Sequence, residues 1–244
     1  MYLRLDKALV ERDLAASRSR AQFMVQAGVV LINGKPAKKT SQLIKTADEL
    51  KIIKDINPWV SRSALKLEYA IKAFGLDPLY GRAIDIGSST GGFTEVLLSF
   101  GCQEVYAIDV GRDQLHEKLK KNPRVFSFEG FNAKNLDDLE FPCFDYIVCD
   151  ASFISIEKVL KVPLRYTKDH SILITLIKPQ FEVGPKLVGK KGIVKDPKYH
   201  NDACEGVRRF LDNEGWNVTH LEKSPLLGSD GNVEFLMAAN KLLR

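Results

Sequence analysis

Short apolar runs alternate with helical patterns from residue 61 to the end of this chain. The apolar residues in each run follow one another without polar alternation, which is typical of strands buried on both faces. The runs begin at Ala83, Val105, Val125, Tyr146 and Ile172. Strands that alternate with helices in this way predict an α/β fold with a doubly wound, mostly parallel, Rossmann-like sheet.

The two ends of this region add detail to the prediction. Ser61 or Ser63 is expected to cap its first helix. Near the carboxyl terminus, a helix over about residues 199–214 is followed by two strands, Trp216–Leu221 and Val233–Ala239, with no helix between them. Consecutive strands without a crossover helix favour antiparallel pairing, so we expect an antiparallel hairpin at one edge of the sheet.

The first 56 residues have the pattern of a small α+β module. Its first helix is predicted from apolar residues on one face, which are Leu3, Leu5, Leu9 and Val10. Ser17 is expected to cap a second helix over Arg18–Ala27. The apolar run after Gly28 ends in Asn33-Gly34, which is a strong hairpin signal, and Leu50–Ile53 predicts a later strand.

Charge distinguishes this module from the rest of the chain. The chain has 36 Lys and Arg against 31 Asp and Glu, a net charge of +5, and residues 1–60 alone account for all of that excess. Such asymmetry indicates a polyanionic partner for the small module, with an ordinary solvated basic surface as the alternative. We therefore predict domains at residues 1–56 and 61–244, joined by a linker over residues 57–60.

Composition excludes several other classes of protein. The longest apolar stretch, Ile172–Ile177, is interrupted by Thr175 and is far shorter than the ~20 residues of a membrane span. The amino terminus does not have the pattern of a signal peptide. Four cysteines form neither a CxxC pair nor a metal-ligand spacing, so we expect reduced thiols, no metal site and a cytoplasmic protein.

A glycine-rich loop follows the first strand of the large sheet and reads Asp85-Ile-Gly-Ser-Ser-Thr-Gly-Gly-Phe. Glycines let a ligand approach the backbone, and Asp109 ends the next strand, where a carboxylate can bind ribose hydroxyls. The pattern is not that of a P-loop, so it indicates an adenosine-containing cofactor whose phosphates, if any, are not the main contact, and S-adenosylmethionine fits. The alternative is a structural turn beside an unrelated aspartate. The candidate cofactor residues are Asp85, Gly87, Ser88, Ser89, Gly91, Gly92, Phe93, Asp109, Asn132 and Asp150.

Asn132 is included because it follows the third strand and is expected near the adenine edge, although Glu129 is equally near in sequence. Phe153 and Phe181 come shortly after two other strand ends. They are expected mainly to pack in the core, with stacking on a flipped base as the alternative.

Four charged residues form a candidate catalytic set, namely Lys66, Asp150, Lys178 and Glu234. Asp150 and Lys178 come at the carboxyl ends of predicted strands, where open α/β sheets bind ligands. A lysine after so apolar a strand could serve as a general base if desolvation and a second lysine lowered its pKa. Taken singly, each of the four is more often a solvated surface charge.

Several motifs make a family resemblance specific. The segments Arg4-Leu-Asp-Lys-Ala-Leu, Ser17-Arg-Ser-Arg-Ala and Gly28-Val-Val-Leu-Ile-Asn-Gly-Lys resemble the S-four type (S4) RNA-binding domain. The glycine-rich loop, Cys149-Asp-Ala-Ser-Phe-Ile, Ile177-Lys-Pro-Gln-Phe-Glu and Asn232-Val-Glu-Phe resemble the FtsJ-like methyltransferase domain. That order of domains, with Gly192-Ile-Val-Lys-Asp-Pro and Gly228-Ser-Asp-Gly-Asn, is similar to the TlyA/hemolysin A family.

The resemblance implies 2′-O-methylation of a cytidine in ribosomal RNA, with S-adenosylmethionine as the methyl donor and ribosomal RNA or ribosomal subunits as the partner. It also implies a Lys-Asp-Lys-Glu tetrad, which maps onto the four residues selected above. Lys178 would accept the proton of the ribose hydroxyl, Asp150 and Lys66 would align the reactants, and Glu234 would fix Lys66. Asn57-Pro58-Trp59-Val60 departs from the arginine-rich linker of some relatives and shares only its aromatic residue.

Basic residues of the small module are the candidate phosphate contacts. They are expected to recognise RNA by shape and backbone more than by sequence. They are Arg4, Lys7, Arg18, Arg20, Lys38 and Lys39. Two other functions stay open: an RNA-binding protein with a non-catalytic methyltransferase fold, and a membrane-active hemolysin, for which the sequence offers no convincing membrane segment.

Overall fold

The computed structural model describes residues 2–15, 18–53 and 59–242, with only the backbone of Ser19 and Arg20. The predicted cap Ser17 and the linker residues Asn57 and Pro58 lie outside the described residues. The chain divides into two compact units, Met1–Arg62 and Ser63–Arg244.

The described residues of the small unit form two helices and two small antiparallel sheets. Its elements are β1 (Tyr2–Arg4), α1 (Leu5–Glu11), α2 (Arg18–Gln26), β2 (Val30–Ile32), β3 (Lys35–Pro36), β4 (Leu43–Lys45) and β5 (Leu50–Ile52). Strand β1 pairs with β4, and the second sheet has the order β3-β2-β5. Apolar residues of both helices, including Leu9, Ala21 and Val25, form its core with Val30 and Ile44.

The predicted hairpin of the small unit is confirmed. Ile32 pairs with Lys35, so the turn consists of Asn33 and Gly34 alone. Both have positive φ, 48° and 76°, which is the conformation that the Asn-Gly sequence favours. The placement of Leu3 in the first helix is wrong, because Leu3 pairs with Ile44 in the ribbon of β1 and β4.

The large unit alternates strands and helices. Its elements are α3 (Ala64–Ala73), β6 (Arg82–Ile86), α4 (Gly92–Ser99), β7 (Glu104–Asp109), α5 (Glu117–Lys120), β8 (Val125–Glu129), β9 (Phe144–Cys149), α6 (Ile156–Leu160), β10 (Thr167–Ile177), α7 (Pro179–Glu182), α8 (Pro197–Asn213), β11 (Trp216–Lys223) and β12 (Phe235–Lys241). Ser63 precedes α3 but makes no capping hydrogen bond through its side chain.

One seven-stranded sheet organises this unit, in the order β11-β12-β10-β9-β6-β7-β8. The five strands from β6 to β10 are parallel, and β12 runs antiparallel to both β10 and β11. The predicted doubly wound, mostly parallel sheet with an antiparallel edge pair is therefore confirmed. Its apolar strands are buried among the helices, with Ile84, Ile147 and Leu173 fully buried in the central strands.

The strand order reverses between β6 and β9. From β6 the chain moves outward to β7 and β8, and it then returns to place β9 and β10 on the other side of β6. In open α/β sheets such a reversal leaves a crevice beyond the carboxyl ends of the two strands. Gly87 follows β6 and Asp150 follows β9, so the candidate residues lie at the rim of this crevice.

Candidate active site

A cavity of about 540 Å³ opens at the strand-order reversal. That volume is within the range of small-molecule and cofactor sites. Five residues predicted to bind the cofactor line it, and these are Gly87, Ser89, Asp109, Asn132 and Asp150. Its wall is mostly apolar and includes Ile86, Ile108 and Phe131, which suits the flat face of an adenine ring.

Gly87 is required by close backbone packing as well as by its conformation. Its φ is +81°, and a Cβ atom at this position would lie 3.0 Å from the Cα of Ala151. The Asp150 amide donates a hydrogen bond to the Ile86 carbonyl at 3.0 Å, which holds the two strand ends together. A larger residue at position 87 would therefore push the ends of β6 and β9 apart.

The Asp109 carboxylate is held by two backbone amides. Ser89 N–H donates to Oδ2 and Gly111 N–H donates to Oδ1, both at 2.7 Å. Each oxygen keeps a second lone pair, so the carboxylate is fixed in orientation and can still accept hydrogen bonds from a ligand. This geometry fits the predicted contact with the hydroxyl groups of a ribose.

Asp85 is fully buried and only partly satisfied. Thr94 Oγ1 donates to Oδ2 at 2.7 Å, whereas Oδ1 is buried without a hydrogen-bond partner. Desolvation raises the pKa of Asp85 to about 7, against the opposing hydrogen bond from Thr94. A buried carboxylate with one free oxygen beside a glycine loop fits the cationic amino-acid end of S-adenosylmethionine.

Neither Asp85 nor the remaining loop residues proposed for the cofactor are part of the cavity wall. Ser88 and Phe93 are buried, and Gly92 is the first residue of α4. A Cβ at Gly91 would lie 2.2 Å from Leu119 Cδ1, so this glycine is needed for packing against the segment around α5. These residues shape the loop, and a direct contact with a cofactor stays a prediction for each.

The structure distinguishes Asn132 from Glu129, which were equally near in sequence. Glu129 Oε1 accepts from the amides of Gln114 and Leu115, at 2.6 and 3.0 Å, and Oε2 pairs with Lys120. Glu129 therefore fixes the Gln114 segment, whereas Asn132 lines the cavity. Gln114, which sequence reasoning missed, also lines the cavity, and its Oε1 accepts from Ser89 Oγ at 3.1 Å.

Lys178 is nearly buried and is surrounded by oxygen atoms. Its Nζ lies 2.7 Å from Asp150 Oδ1 in an ion pair that lacks the angles of a hydrogen bond. The same ammonium donates to the Asp150 carbonyl at 3.1 Å and to Ser152 Oγ at 2.8 Å. Ser152 was not predicted, although it lies within the motif Cys149-Asp-Ala-Ser-Phe-Ile and lines the cavity.

Lys66 and Glu234 form a second, buried ion pair. The two residues are 168 positions apart in the chain, so α3 and the start of β12 must pack together to form it. A Cβ at Gly228 would lie 2.5 Å from Glu234 Oε1, which means that the glutamate fills the space left by this glycine.

Strand register brings the two ion pairs to the same end of the sheet, where the parallel strands β9 and β10 finish. Ile177 pairs with Phe235 across β10 and β12, so the neighbouring residues Lys178 and Glu234 continue the same register. Asp150 follows β9, the parallel neighbour of β10, and contacts Lys178 directly. Lys66 joins the group through Glu234. The structure thus assembles the four residues selected from the sequence.

Phe153 is not a core residue, contrary to the expectation. Its side chain is 91% exposed, and its φ is +65°, a conformation that residues other than glycine rarely adopt. The ring lies 5.2 Å from that of Phe181 and forms part of the cavity rim.

In the small unit, two of the candidate RNA-binding arginines share one carboxylate. Asp6 is fully buried, and its Oδ2 lies 2.9 Å from Arg4 and 3.1 Å from Arg18. The hydrogen bond from Arg4 is the main reason that the pKa of Asp6 is well below its usual range. Arg4 and Arg18 keep 41% and 54% of their side chains exposed.

The remaining candidate RNA contacts are spread over the surface of the small unit. Lys7, Lys38 and Lys39 are exposed. The side chain of Arg20 lies outside the described residues.

All four cysteines are free thiols, and only Cys143 is exposed. Among the described residues, no group of three His, Cys, Asp or Glu side chains is placed to hold a metal ion.

Comparison with known proteins decides the family. The FtsJ-like methyltransferase model matches residues 59–241, and the S4 domain model matches residues 3–50. The 16S/23S rRNA (cytidine-2′-O)-methyltransferase TlyA of Mycobacterium tuberculosis is 40% identical, over 96% of this chain and 88% of the relative. The chain belongs to the TlyA/hemolysin A family.

Two further relatives of this family carry the hemolysin name. Hemolysin A of Brachyspira hyodysenteriae is 37% identical, over 96% of this chain and 98% of the relative. A solved structure from Streptococcus thermophilus, described as a candidate hemolysin, has 36% identity and a TM-score of 0.77, covering 98% of this chain and 88% of that one. In the described part of the TlyA-like chain, no helix combines the length and apolar character needed to cross a membrane.

Proposed function

We propose that this chain transfers a methyl group from S-adenosylmethionine to the ribose 2′-hydroxyl of a cytidine in ribosomal RNA, in the cytoplasm. The observation that carries the proposal is the contact between Lys178 and Asp150, because Asp150 also lines the cavity. One carboxylate thus connects a possible proton acceptor with the cofactor site. The activity named for the M. tuberculosis relative supports the same reaction.

The cavity would hold the cofactor through groups that are already oriented. Asp109 would accept hydrogen bonds from the ribose hydroxyls, Asn132 would face the adenine, and Asp85 would meet the cationic amino-acid end. When bound, S-adenosylmethionine supplies a methyl group on a sulfonium, which needs no further activation. The protein's contribution is therefore to align the RNA hydroxyl and to remove its proton.

Lys178 is the group proposed to remove that proton. The ammonium beside Asp150 must first give a proton to solvent. Its Nζ, then a neutral amine, accepts the hydrogen of the ribose 2′-hydroxyl while the oxygen becomes the methyl acceptor. Asp150 and Ser152 determine where Nζ lies, since both contact it within 2.8 Å. Glu234 binds Lys66 and continues the register that pairs β12 with β10, so it would hold this second lysine near the first.

Phe153 is proposed to stack on the target base. Its exposed ring is part of the cavity rim, and Phe153 comes directly after Ser152, which contacts Lys178. Phe181 supports it from α7. Stacking would hold a base that has left its helix and would turn its ribose toward Lys178.

We propose a separate role for each domain. Residues 1–56 would bind RNA and residues 61–244 would carry the reaction, with residues 57–60 as the linker. Arg4 and Arg18 would contact phosphates through the guanidinium N–H groups that Asp6 leaves free.

Transfer of a radiolabelled methyl group to purified small and large ribosomal subunits tests the proposal. Nuclease digestion then assigns the label to base or ribose. Label on a ribose 2′-oxygen supports the proposal, and label on a base contradicts the proposed reaction. Cofactor binding without any label would favour an RNA-binding protein with a non-catalytic fold, and leakage from liposomes at matched protein concentration would favour the hemolysin alternative.

A further inference from the structure

A lysine-rich loop connects α7 to α8 and is not part of the site described above. This lysine loop, residues 184–198, contains five lysines and one acidic residue. The lysines are all exposed, and they are Lys186, Lys190, Lys191, Lys195 and Lys198. The one acidic residue, Asp196, caps α8 by accepting from the Lys198 amide at 2.9 Å. Residues 61–244 have no net charge in total, yet this segment is strongly basic.

The ammonium groups of the lysine loop are not neutralised within the described part of the chain, where none of the five forms an ion pair. Some exposed lysines elsewhere in the same unit are neutralised: Lys72 pairs with Glu68, and Lys168 pairs with Asp145. Uncompensated lysines in one short segment produce a local positive potential that attracts a polyanion.

Buried hydrogen bonds fix the position of this loop. Asn232 is 1% exposed, its Oδ1 accepts from the Val194 amide at 3.0 Å, and its Nδ2 donates to the Gly192 carbonyl at 2.8 Å. The buried His200 ring contacts the Val194 carbonyl at 2.9 Å. The backbone that bears the lysines is therefore held at its centre, while their side chains stay free in solvent.

The lysine loop is connected to the candidate catalytic residues in two ways, through the chain and through Asn232. Helix α7 begins at Pro179, directly after Lys178, so the loop leaves the site by covalent connection. Asn232, whose side-chain amide holds the loop by hydrogen bonds, is two residues before Glu234. The positive segment is consequently tied to the two strand ends that carry Lys178 and Glu234.

We propose that the lysine loop binds phosphates of the RNA backbone next to the target nucleotide, and this rests on the proposed function. Phosphate contacts fix the register of a nucleic acid without reading its sequence, which is what a site needs when it must present one ribose to Lys178. Flexible lysine side chains suit a backbone whose phosphates differ in spacing from one fold to another.

The test removes three charges from the loop in the full chain. In the variant Lys190→Ala/Lys191→Ala/Lys195→Ala, the affinity for protein-free ribosomal RNA falls about tenfold at ~0.1 M salt, and the slope of log affinity against log salt becomes less steep by about 2. The loss appears in KM for RNA rather than in kcat. The affinity for S-adenosylmethionine, measured by calorimetry, does not change.

A matched control removes the same charge from the other end of the sheet, where the parallel strands begin. Lys121 and Lys161 directly follow α5 and α6, and Lys168 is near the start of β10. For the variant Lys121→Ala/Lys161→Ala/Lys168→Ala, the slope of log RNA affinity against log salt stays that of the wild-type chain. Equal salt slopes for the loop variant and the control would overturn the inference.

The two proposals fail separately in this design. If the wild-type chain methylates ribosomal RNA and the loop variant binds RNA as the control does, the inference about the loop fails and the proposed function stands. If the wild-type chain transfers no methyl group but the loop variant still loses RNA affinity, the proposed function fails and the RNA-binding role of the loop stands.

Discussion

Lys178 and Asp150 follow the carboxyl ends of two neighbouring parallel strands, and their side chains form an ion pair of 2.7 Å at the rim of the cavity. This relationship connects the proton acceptor of the proposed reaction with the cofactor site. Because both residues are attached to strand ends in the centre of the sheet, their separation is set by strand register rather than by loop conformation.

Ser152 is predicted to be a positioning residue for Lys178. In Ser152→Ala, Nζ loses its 2.8 Å contact with Oγ, and kcat for methyl transfer falls about tenfold because the amine is no longer held in line. Ser152→Thr keeps the hydroxyl group and restores most of the rate. Steady-state kinetics on ribosomal subunits measure both, and equal rates for the alanine and threonine variants would contradict the role.

Binding of S-adenosylmethionine is predicted to depend on pH through Asp85. Its pKa is raised to about 7, so the free protein holds a neutral acid below that pH, whereas the cofactor's ammonium requires the carboxylate. Affinity therefore rises by about tenfold per pH unit from pH ~5.5 to ~6.5, a range in which the cofactor's amino group stays protonated. Titration calorimetry over this range measures the slope.

Two variants identify the group responsible. In Asp85→Asn the affinity is weak and does not change with pH. Glu182 is the matched control, because burial also raises its pKa to about 7, but its Oε1 already accepts a hydrogen bond from the Ile156 amide at 2.9 Å. Glu182→Gln keeps the wild-type slope. Loss of the slope in this variant would show that Glu182, and not Asp85, causes the pH dependence.

The Lys66–Glu234 pair is predicted to cost stability when only one partner is removed. Glu234→Gln leaves the buried Lys66 ammonium without a counter-charge and lowers the free energy of unfolding by about 3 kcal/mol. Lys66→Met/Glu234→Leu recovers much of that loss but not the methyl transfer. Denaturant unfolding and transfer assays separate the two effects, and an active double variant would show that the pair is only structural.

Asp6 is predicted to organise the RNA-binding surface of the small unit. Asp6→Asn removes the charge shared by Arg4 and Arg18, lowers stability by about 2 kcal/mol and weakens RNA binding. Since the pKa of Asp6 is lowered by folding, its contribution is complete above pH ~4 and is lost only in stronger acid. Unfolding curves and RNA titrations measure both effects.

The exposed Asp13 provides the comparison for that change. Its φ is 56°, a conformation that asparagine tolerates well, so Asp13→Asn has little effect on either measurement. If Asp6→Asn behaved like Asp13→Asn, the shared carboxylate would have no organising role.

Much of the large unit could be predicted because its signals are local. Uninterrupted apolar runs identify the parallel strands, and residues at the ends of such strands converge by topology alone, as Asp109 and Asp150 do. Lys66 is different: it reaches Glu234 across 168 positions, and no local pattern in the sequence indicates that these two residues meet.

The errors have physical causes that are not local. Leu3 has helical spacing with Leu9, but pairing with Ile44, some forty residues later, draws it into a strand. Phe153 was expected in the core because aromatic residues usually bury their rings, yet its ring is exposed on a residue whose φ is +65°, a backbone conformation that sequence periodicity does not reveal. Ser152 carries no periodic or charge signal and is recognised only through its contact with Lys178.

Methyl transfer to ribosomal subunits by Lys178→Ala, with cofactor binding measured on the same preparation, tests the central claim most directly. Lys168→Ala, which changes a lysine at the other end of the same strand, is the control. We predict that Lys178→Ala binds S-adenosylmethionine as the wild-type chain does and transfers no methyl group, while Lys168→Ala is active. Transfer at the wild-type rate by Lys178→Ala would contradict the claim.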